Sequence, residues 1–417
     1  QRAATNVMGV LNNEIGFRFS NDMALGTTDI QLMGMSGRNV KILLDGVPML
    51  DRGDTRESLN QIDINSIERI EIVEGPMSVN YGTDALAGVI NIILKNSVGK
   101  STVNLFSGIT SKGDGFNIGA DFNTGIRVAK NGSLNLTLGY SSQNKTNRAG
   151  SITKDELFGV DNAWTQAKQG LGMIIGQPET KVANMFVNFE LPTSETGKFY
   201  AFGGVNSKKS DAYAYTRNWS ARPTRFPVNK DGSLIFVPEI MFQSGSGDTS
   251  FNPRIQAQIQ DISMVTGFSK ENKNGWNWDF SNAFGYNDFH YFGAGTFNAS
   301  DIGNVTKTSF DDGGFNFLQN TTNFDLSKQF GTVNNGGLKV AYGAELRYEA
   351  YRINKGEVAS YKAYPNSFGL QQAPGAQGFP GFSTDDEVDA NRMVTGLYGD
   401  LEYTPSEAFL ITILFPS

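Results

Sequence analysis

The densest grouping of side chains able to recognise a ligand lies in the segment 207–254, with Tyr213, Tyr215, Arg217, Trp219, Arg222 and Arg225. Guanidinium groups interleaved with aromatic rings are common anchors of binding surfaces. Such a set can stack on a sugar, a siderophore or a macrocycle; the plainer reading is a loop packed on itself. A second grouping is polar and charged: Asn21 and Asp22 in segment 20–28, and Asp51, Arg52, Asp54 and Arg56 in segment 49–58. These types suit contact with a polar or charged ligand, or solvation of a loop; loops carry function disproportionately.

Chemistry of other kinds is poorly supplied. His290 is the single histidine and cysteine is missing, which removes thiolate metal sites and disulfide frameworks together. A haem or metal carrier usually offers imidazole ligands, and a lone histidine at a strand end reads instead as a surface or girdle residue. The acidic runs Asp311-Asp312 and Asp385-Asp386-Glu387 lack the ligand spacing of a calcium loop. No G-x-S-x-G, H-E-x-x-H or phosphate-loop pattern occurs. The expectation is a protein that is not an enzyme and has no cofactor or resident metal. With 18% charged residues and a net charge of -7, a nucleic-acid partner is not expected.

The elements that must position these groups are strands. The 417 residues include 48 Gly, 30 Phe and 14 Tyr, a β composition that suits a barrel with aromatic girdles. Mean hydropathy is -0.31, and no stretch approaches the ~20 apolar residues of a membrane helix. A barrel tolerates this, because only alternate residues face lipid. From Ser101 onward alternation dominates, as in Leu134, Leu136, Leu138 and Tyr140 against Asn135, Thr137 and Gly139. Similar runs recur over 182–191, 199–205, 256–268, 276–292, 321–330, 338–353 and 393–403, giving roughly ten strands of membrane-crossing length. Short turns (129–132, 193–197, 272–275, 332–337) alternate with long polar loops (143–180, 207–254, 356–391), the asymmetry of an outer-membrane barrel. The opening QRAATNVMGVLNN lacks the charge and apolar core of a signal peptide. The chain stops within the strand pattern, at FLITILFPS. An open sheet edge is not viable in lipid, so the sequence is expected to be part of a longer chain.

Residues 40–96 have a different character. Val40–Asp45, Ile67–Val73 and Val89–Leu94 read as short buried strands, Asp45-Gly46 as a turn, and Gly75-Pro76 as a strand break. Residues 4–13 suggest a short helix with Val7, Val10 and Leu11 on one face, 17–28 a loop, 29–35 a strand and 59–64 a helical turn. Gly46 and Gly75 allow backbone conformations closed to other residues, and Pro76 removes a donor. A compact α+β unit followed by a long series of amphipathic strands suggests a plug followed by a barrel wall.

The series ILLDGVP (42–48), IERIEIVEGP (67–76) and YGTDALAGVINII (81–93) resembles the plug domain of TonB-dependent outer-membrane receptors. The residues that carry the match are Asp45, Gly46, Pro48, Arg69, Gly75, Pro76, Tyr81, Gly82, Gly88 and Asn91. The resemblance implies a membrane all-β barrel with a small α+β plug, of about 22 strands in the whole protein. On it, residues 1–98 are an N-terminally truncated plug and 99–417 a partial transmembrane barrel whose C-terminal part is missing. It also implies residence in the bacterial outer membrane, among lipid, and uptake of a scarce ligand driven by TonB with its inner-membrane motor proteins. A ferric siderophore or a cobalamin-like ligand comes first. The alternatives are glycan or oligosaccharide import with a surface lipoprotein, and, in another class, a β-rich secreted glycoside hydrolase. Two features depart from the family pattern. Met33-Gly34 stands where many members have Arg-Gly, and Glu74-Gly75-Pro76 where many have Arg-Gly-Pro. Those arginines pair with carboxylates on the inner wall, so Arg69 and Arg38 are the expected substitutes.

Overall fold

The computed structural model describes residues 7–11, 14, 16–22, 27–32, 34–48, 59, 62–75, 86–149, 174–243, 249–331, 337–406 and 409–415. A helix, Val7–Leu11, opens the chain. Two small sheets follow: β1 (Phe17–Asp22), β2 (Thr27–Leu32) and β3 (Met35–Ser36) form one, and β4 (Val40–Leu44), β5 (Val47–Pro48), β6 (Ile67–Glu74) and β7 (Gly88–Leu94) the other. The second has strand order β5-β4-β7-β6, with β4 and β7 parallel and β6 antiparallel to β7. Parallel pairs are normally covered on both faces, and here β4 and β7 are nearly continuous apolar runs. Val40, Ile42, Leu44, Ile90 and Ile92 join Val7, Leu11 and Leu32 in one buried core. The turn joining β4 to β5 has positive φ at both Asp45 (47°) and Gly46 (82°), the geometry that matches strand twist in a two-residue hairpin.

The remainder is a single wall. Its strands are β8 (Ser101–Gly108), β9 (Asn117–Val128), β10 (Gly132–Gln143), β11 (Glu179–Pro192) and β12 (Gly197–Tyr213). After three short loop strands, β13 (Arg217–Asn218), β14 (Phe242–Gln243) and β15 (Thr249–Phe251), come β16 (Arg254–Glu271), β17 (Trp276–Ala294), β18 (Ser309–Phe330), β19 (Gly337–Lys355), β20 (Val388–Ser406) and β21 (Phe409–Phe415). The eleven wall strands pair in chain order from β8 to β21, all antiparallel, in a sheet that does not close. It is a partial barrel. Side-chain parity divides its faces. Val103, Leu105, Ile118, Ile126, Leu138, Ile262, Phe280, Leu346 and Met393 are exposed on one, while Asn123, Asn135, Asn206 and Asn287 are buried on the other. No described helix is long and apolar enough to cross a membrane; the apolar outer face of the sheet supplies the crossing surface instead. Near the short-turn end of that face, Trp276 lies 6.2 Å from Phe330 and 6.0 Å from Tyr342, as in an interfacial aromatic girdle.

Several expectations need correction. Residues 17–28 are not a loop; β1 and β2 form a hairpin there, with Phe17 paired to Leu32 and Asp22 to Thr27. The turn expected over 59–64 lies at Ile64–Ser66, capped by Asp63, whose side chain accepts from Asn65 N at 2.7 Å. β9 (Asn117–Val128) adds a strand to those expected: Ile118, Ala120, Phe122 and Ile126 alternate with inward Gly119, Asp121, Asn123 and Gly125, a rhythm weakened by the small Ala120 and the polar Thr124. β18 starts twelve residues earlier than alternation suggests, at Ser309. The segments 207–213 and 388–391 belong to β12 and β20, not to loops.

Candidate ligand-binding site

At the long-loop end, a cavity of about 280 Å³ opens between the end of β12, the start of β16 and the neighbouring loops, lined in part by Lys145, Tyr213, Tyr215, Arg217, Ile255 and Gly378. Arg217 Nη1 donates to the Tyr215 carbonyl at 2.7 Å, while its Nε is buried with no hydrogen-bond partner. Burial, followed by the charges of Arg225 and Arg222, lowers the Arg217 pKa to about 10. An arginine in that position gains from an anion. Lys145 Nζ lies 2.8 Å from Asp211 and 4.7 Å from the centre of the Tyr213 ring, and Arg254 also meets Asp211, at 2.7 Å. Two cations therefore share one carboxylate, and the local balance stays positive. Apolar walls, phenol rings and unspent positive charge can hold a compact, anionic, ring-bearing molecule.

Trp219 and Arg222 do not line this cavity. Trp219 stands edge-on to Phe226 at 5.6 Å, and Phe226, Phe251 and Phe297 continue edge-to-face at 5.0 and 5.3 Å. With Met241 they form a core that belongs to the loops alone. Gln372 Nε2 donates to the Phe226 carbonyl at 2.6 Å, and Arg225 Nη1 to Gln377 Oε1 at 3.0 Å, so the 214–253 and 356–387 connections are stitched together. Arg222 sits beside the turn Pro223–Arg225. Asn21 and Asp22 end β1, paired with Thr28 and Thr27. Asp51, Arg52, Asp54 and Arg56 lie outside the described residues. His290 Nε2 is 2.7 Å from Asp311 Oδ1, and no group of three or more potential metal-ligating side chains converges among the described residues.

The N-terminal unit sits against the inner face of the wall. Phe186, Phe202 and Val265, from β11, β12 and β16, join its apolar core. Around this lies a polar seat. Asn65 Nδ2 donates to Asp121 Oδ2 on β9 at 2.9 Å, and Asn104 Nδ2 on β8 donates to Asn65 Oδ1. Asn188 Nδ2 on β11 reaches the Lys95 carbonyl at 3.3 Å and Asp45 Oδ2 at 3.5 Å. Asp63, 6% exposed, accepts from Asn65 N at 2.7 Å, and burial pushes its carboxyl above the usual range.

The model of the TonB-dependent Receptor Plug Domain family matches residues 1–89. The ferric enterobactin receptor PirA of Pseudomonas aeruginosa is 27% identical over 246 residues, covering 49% of this chain and 32% of its own. The vitamin B12 transporter BtuB of Vibrio vulnificus is 31% identical over 140 residues, 33% of this chain and 22% of its own. Among solved structures, the ferric enterobactin receptor PfeA of Pseudomonas aeruginosa superposes with a TM-score of 0.61 at 12% identity, over 98% of this chain and 54% of that one. The N-terminal unit of this chain is a TonB-dependent receptor plug domain. The chain spans about half the length of that structure, and the receptors that carry this plug domain reside in the outer membrane. The curated relatives are transport receptors, and the structural likeness speaks for fold alone.

In this chain the plug motif is mostly scaffolding. Asn91 binds at both ends: its Oδ1 accepts from Gly46 N at 3.0 Å, and its Nδ2 donates to Glu71 at 3.0 Å. Asp45 Oδ1 accepts from Leu94 N at 2.8 Å. Gly75 has φ 100°, and Gly88, at φ 150°, faces the Val73 carbonyl so closely that a Cβ would overlap it. Pro48 lies in β5; Pro76, Tyr81 and Gly82 lie outside the described residues. The expectation that Arg69 replaces the missing arginine lock fails, because Arg69 pairs with Glu71 on its own strand at 2.8 Å. The Arg38 side chain and Met33 are outside the described residues. Among the described residues, Asn65, Asn104, Asn188, Asp45 and Asp121 make polar contacts between plug and wall. Reading the strand parity inward would have exposed Asp121, Asn184 and Asn188 in the sequence; nothing local marks Asp63 or Lys145.

Proposed function

We propose that this chain is the plug and part of the wall of an active importer that carries a scarce ligand across the outer membrane with energy delivered by TonB. The observation that carries this reading is the seating of the plug core on the inner face of the wall: an obstructed lumen fits energised passage and not a passive pore. A ligand can bias such a plug only by its differential affinity for the two states, so an external drive is required.

The ligand class favoured is a ferric siderophore. The cavity's arginine with its unpartnered Nε, its phenol rings and its excess positive charge suit an anionic chelate with aromatic arms, and receptors for ferric enterobactin are among the relatives. A cobalamin-like ligand is the second reading, supported by the likeness to a vitamin B12 transporter. The test uses the full-length receptor in a host stripped of its own receptors for both ligands, with and without TonB. Uptake of labelled ferric enterobactin, dependent on TonB, is the expected result. Cobalamin uptake alone would select the second reading. Entry of solutes in general, at the same rate without TonB, would overturn the proposal.

A further inference from the structure

One carboxyl group at the rim of the wall is removed from water without a donor to replace it. Strand β18 bulges where Tyr291 pairs with Gly313 and Phe292 with Asp311, so Asp312 is an inserted residue with no partner on β17. Bulges at barrel rims re-aim a side chain. This one turns Asp312 beneath the 356–387 connection, where it has no exposed surface and neither carboxylate oxygen meets a hydrogen-bond donor. The connection holds its backbone: Phe382 N donates to the Asp312 carbonyl at 2.9 Å, and Glu357 N to the Asp311 carbonyl at 2.8 Å. The neighbouring acids are all paired. Asp311 Oδ1 accepts from Gly313 N at 2.9 Å and lies 2.7 Å from His290 Nε2. Glu357 pairs with Lys307 at 2.7 Å and accepts from Asp311 N at 3.1 Å. Lys355, opposite Gly313 on β19, is taken by Glu387 at 3.0 Å. These bases are therefore committed elsewhere, and Asp312 has none.

A dehydrated carboxylate without a donor is not stable in a protein interior, so Asp312 carries either a proton or a cation. The space around it favours the cation. It is bordered by residues with little or no side chain: Gly293, whose Cβ position lies 3.1 Å from Asp312 Oδ2, and Ala376, Gly356 and Gly381. Neutral oxygens border the same space. The Cβ position of Gly356 lies 2.6 Å from Ser360 Oγ and 2.6 Å from the Asp311 carbonyl oxygen, beside the Asp312 backbone. Ser360 Oγ donates to the Glu357 carbonyl at 2.8 Å and keeps lone pairs for a further partner. We propose that Asp312 is the charged ligand of a calcium site that fastens the 356–387 connection to the rim of the wall. Calcium takes about six to eight oxygens in flexible geometry, carbonyls among them, whereas magnesium keeps several waters, for which a site without exposure has no room. Such a shell needs one carboxylate and neutral donors rather than three converging acids. It also explains why Asp311-Asp312 lacks the spacing of a calcium loop: the donors come from a strand bulge and from a connection far along the chain.

The site is read without transport and does not depend on which ligand is carried. The full-length protein in detergent is stripped with a chelator, then equilibrated with CaCl2 or with MgCl2 at equal ionic strength. Amide exchange of segments 356–362 and 376–382 is then measured. A site of this kind is expected to bind in the range of extracellular calcium modules, about 0.1–1 mM. Calcium at about ten times its dissociation constant slows exchange about elevenfold, the factor 1 + [L]/Kd, and magnesium does not. Asp312→Asn keeps the shape and removes the charge, so the calcium response disappears. Asp231→Asn, at an exposed acid of another connection, keeps it. Exchange in the native protein that ignores calcium overturns the proposal and leaves a protonated carboxyl at Asp312. An equal calcium response in Asp312→Asn places the ion elsewhere and also overturns it, as does an equal response to magnesium, which is screening alone. Should Asp312→Asn not fold, the comparison of calcium with magnesium on the native protein decides alone.

Discussion

Substituting Gly88 by Ala tests whether the plug's central strand pairing depends on the absence of one carbon atom. Two penalties are expected. Gly88 has φ 150°, a conformation that costs an L-residue about 1–3 kcal/mol. Its Cβ would also overlap the Val73 carbonyl oxygen and approach Leu32 Cδ2 at 3.0 Å. The oxygen belongs to the backbone of β6, which is paired with β7 through Val73↔Val89 and Glu74↔Gly88, so relief requires displacing a strand; overpacking of this kind costs about 1–3 kcal/mol. Gly46→Ala is the control. It also has positive φ, 82°, but nothing lies within 4 Å of its Cβ position. The control carries the backbone penalty, and the difference between the two variants isolates the overlap. Exchange of the β7 amides in the full-length receptor reports the opening free energy of this sheet. Gly88→Ala is expected to exchange roughly 5–150-fold faster than Gly46→Ala, the equivalent of about 1–3 kcal/mol. Equal protection in the two variants, or a larger loss in Gly46→Ala, would refute the steric argument.

Three further outcomes are expected. Arg217→Ala removes a guanidinium whose Nε has no partner and weakens ferric enterobactin binding by about 1.5–3 kcal/mol, as for the loss of a hydrogen bond to a charged group; titration of labelled chelate onto whole cells measures it. Phe226→Ala empties the centre of the loop core, 0% exposed, at a cost of about 3–5 kcal/mol; trypsin then cuts the 214–253 connection while the wall stays intact. Asp114, held well below the usual carboxylate range first by Arg148 and then by Thr110, ties two loops together. A depressed carboxyl contributes fully above the ordinary aspartate range and loses its effect only as pH falls through the lowered value. The Asn147 amide signal is therefore expected to be unchanged between pH 5 and pH 8 and shifted in Asp114→Asn.

Much of the architecture was legible in the sequence, for a physical reason. Membrane strands must present apolar groups on alternate positions, and stretches such as Leu134–Tyr140 display that rule openly. The plug's buried strands are also plain, because Val40–Leu44 and Gly88–Leu94 sit on both-sided apolar contacts. Where the rule lapses, reading fails. β9 keeps Ile118, Phe122 and Ile126 on its outer face, but Ala120 and Thr124 between them make the alternation faint. The hairpin of β1 and β2 is anchored by Phe17↔Leu32 and Phe19↔Ile30, while its outer half pairs Ser20, Asn21 and Asp22 with Asp29, Thr28 and Thr27, polar residues that read as a loop. For the site, the aromatic and arginine content of the 213–225 stretch was visible, but its division was not. Tyr213, Tyr215 and Arg217 reach the cavity, while Trp219 turns to Phe226, because Phe251 and Phe297 come from far along the chain. Lys145 carries no local signal at all; its role exists only once strands are in register.

The edge-to-face series Trp219, Phe226, Phe251 and Phe297 is made entirely by residues beyond the wall's main strands or at their rim. The canopy thus carries a core of its own, fixed to the wall beneath through Phe379 and Phe382 on Tyr291. Such a division lets a lineage rewrite what it captures, or shed a surface epitope, by exchanging one self-supporting cap for another, with no need to rediscover how to fold in a bilayer.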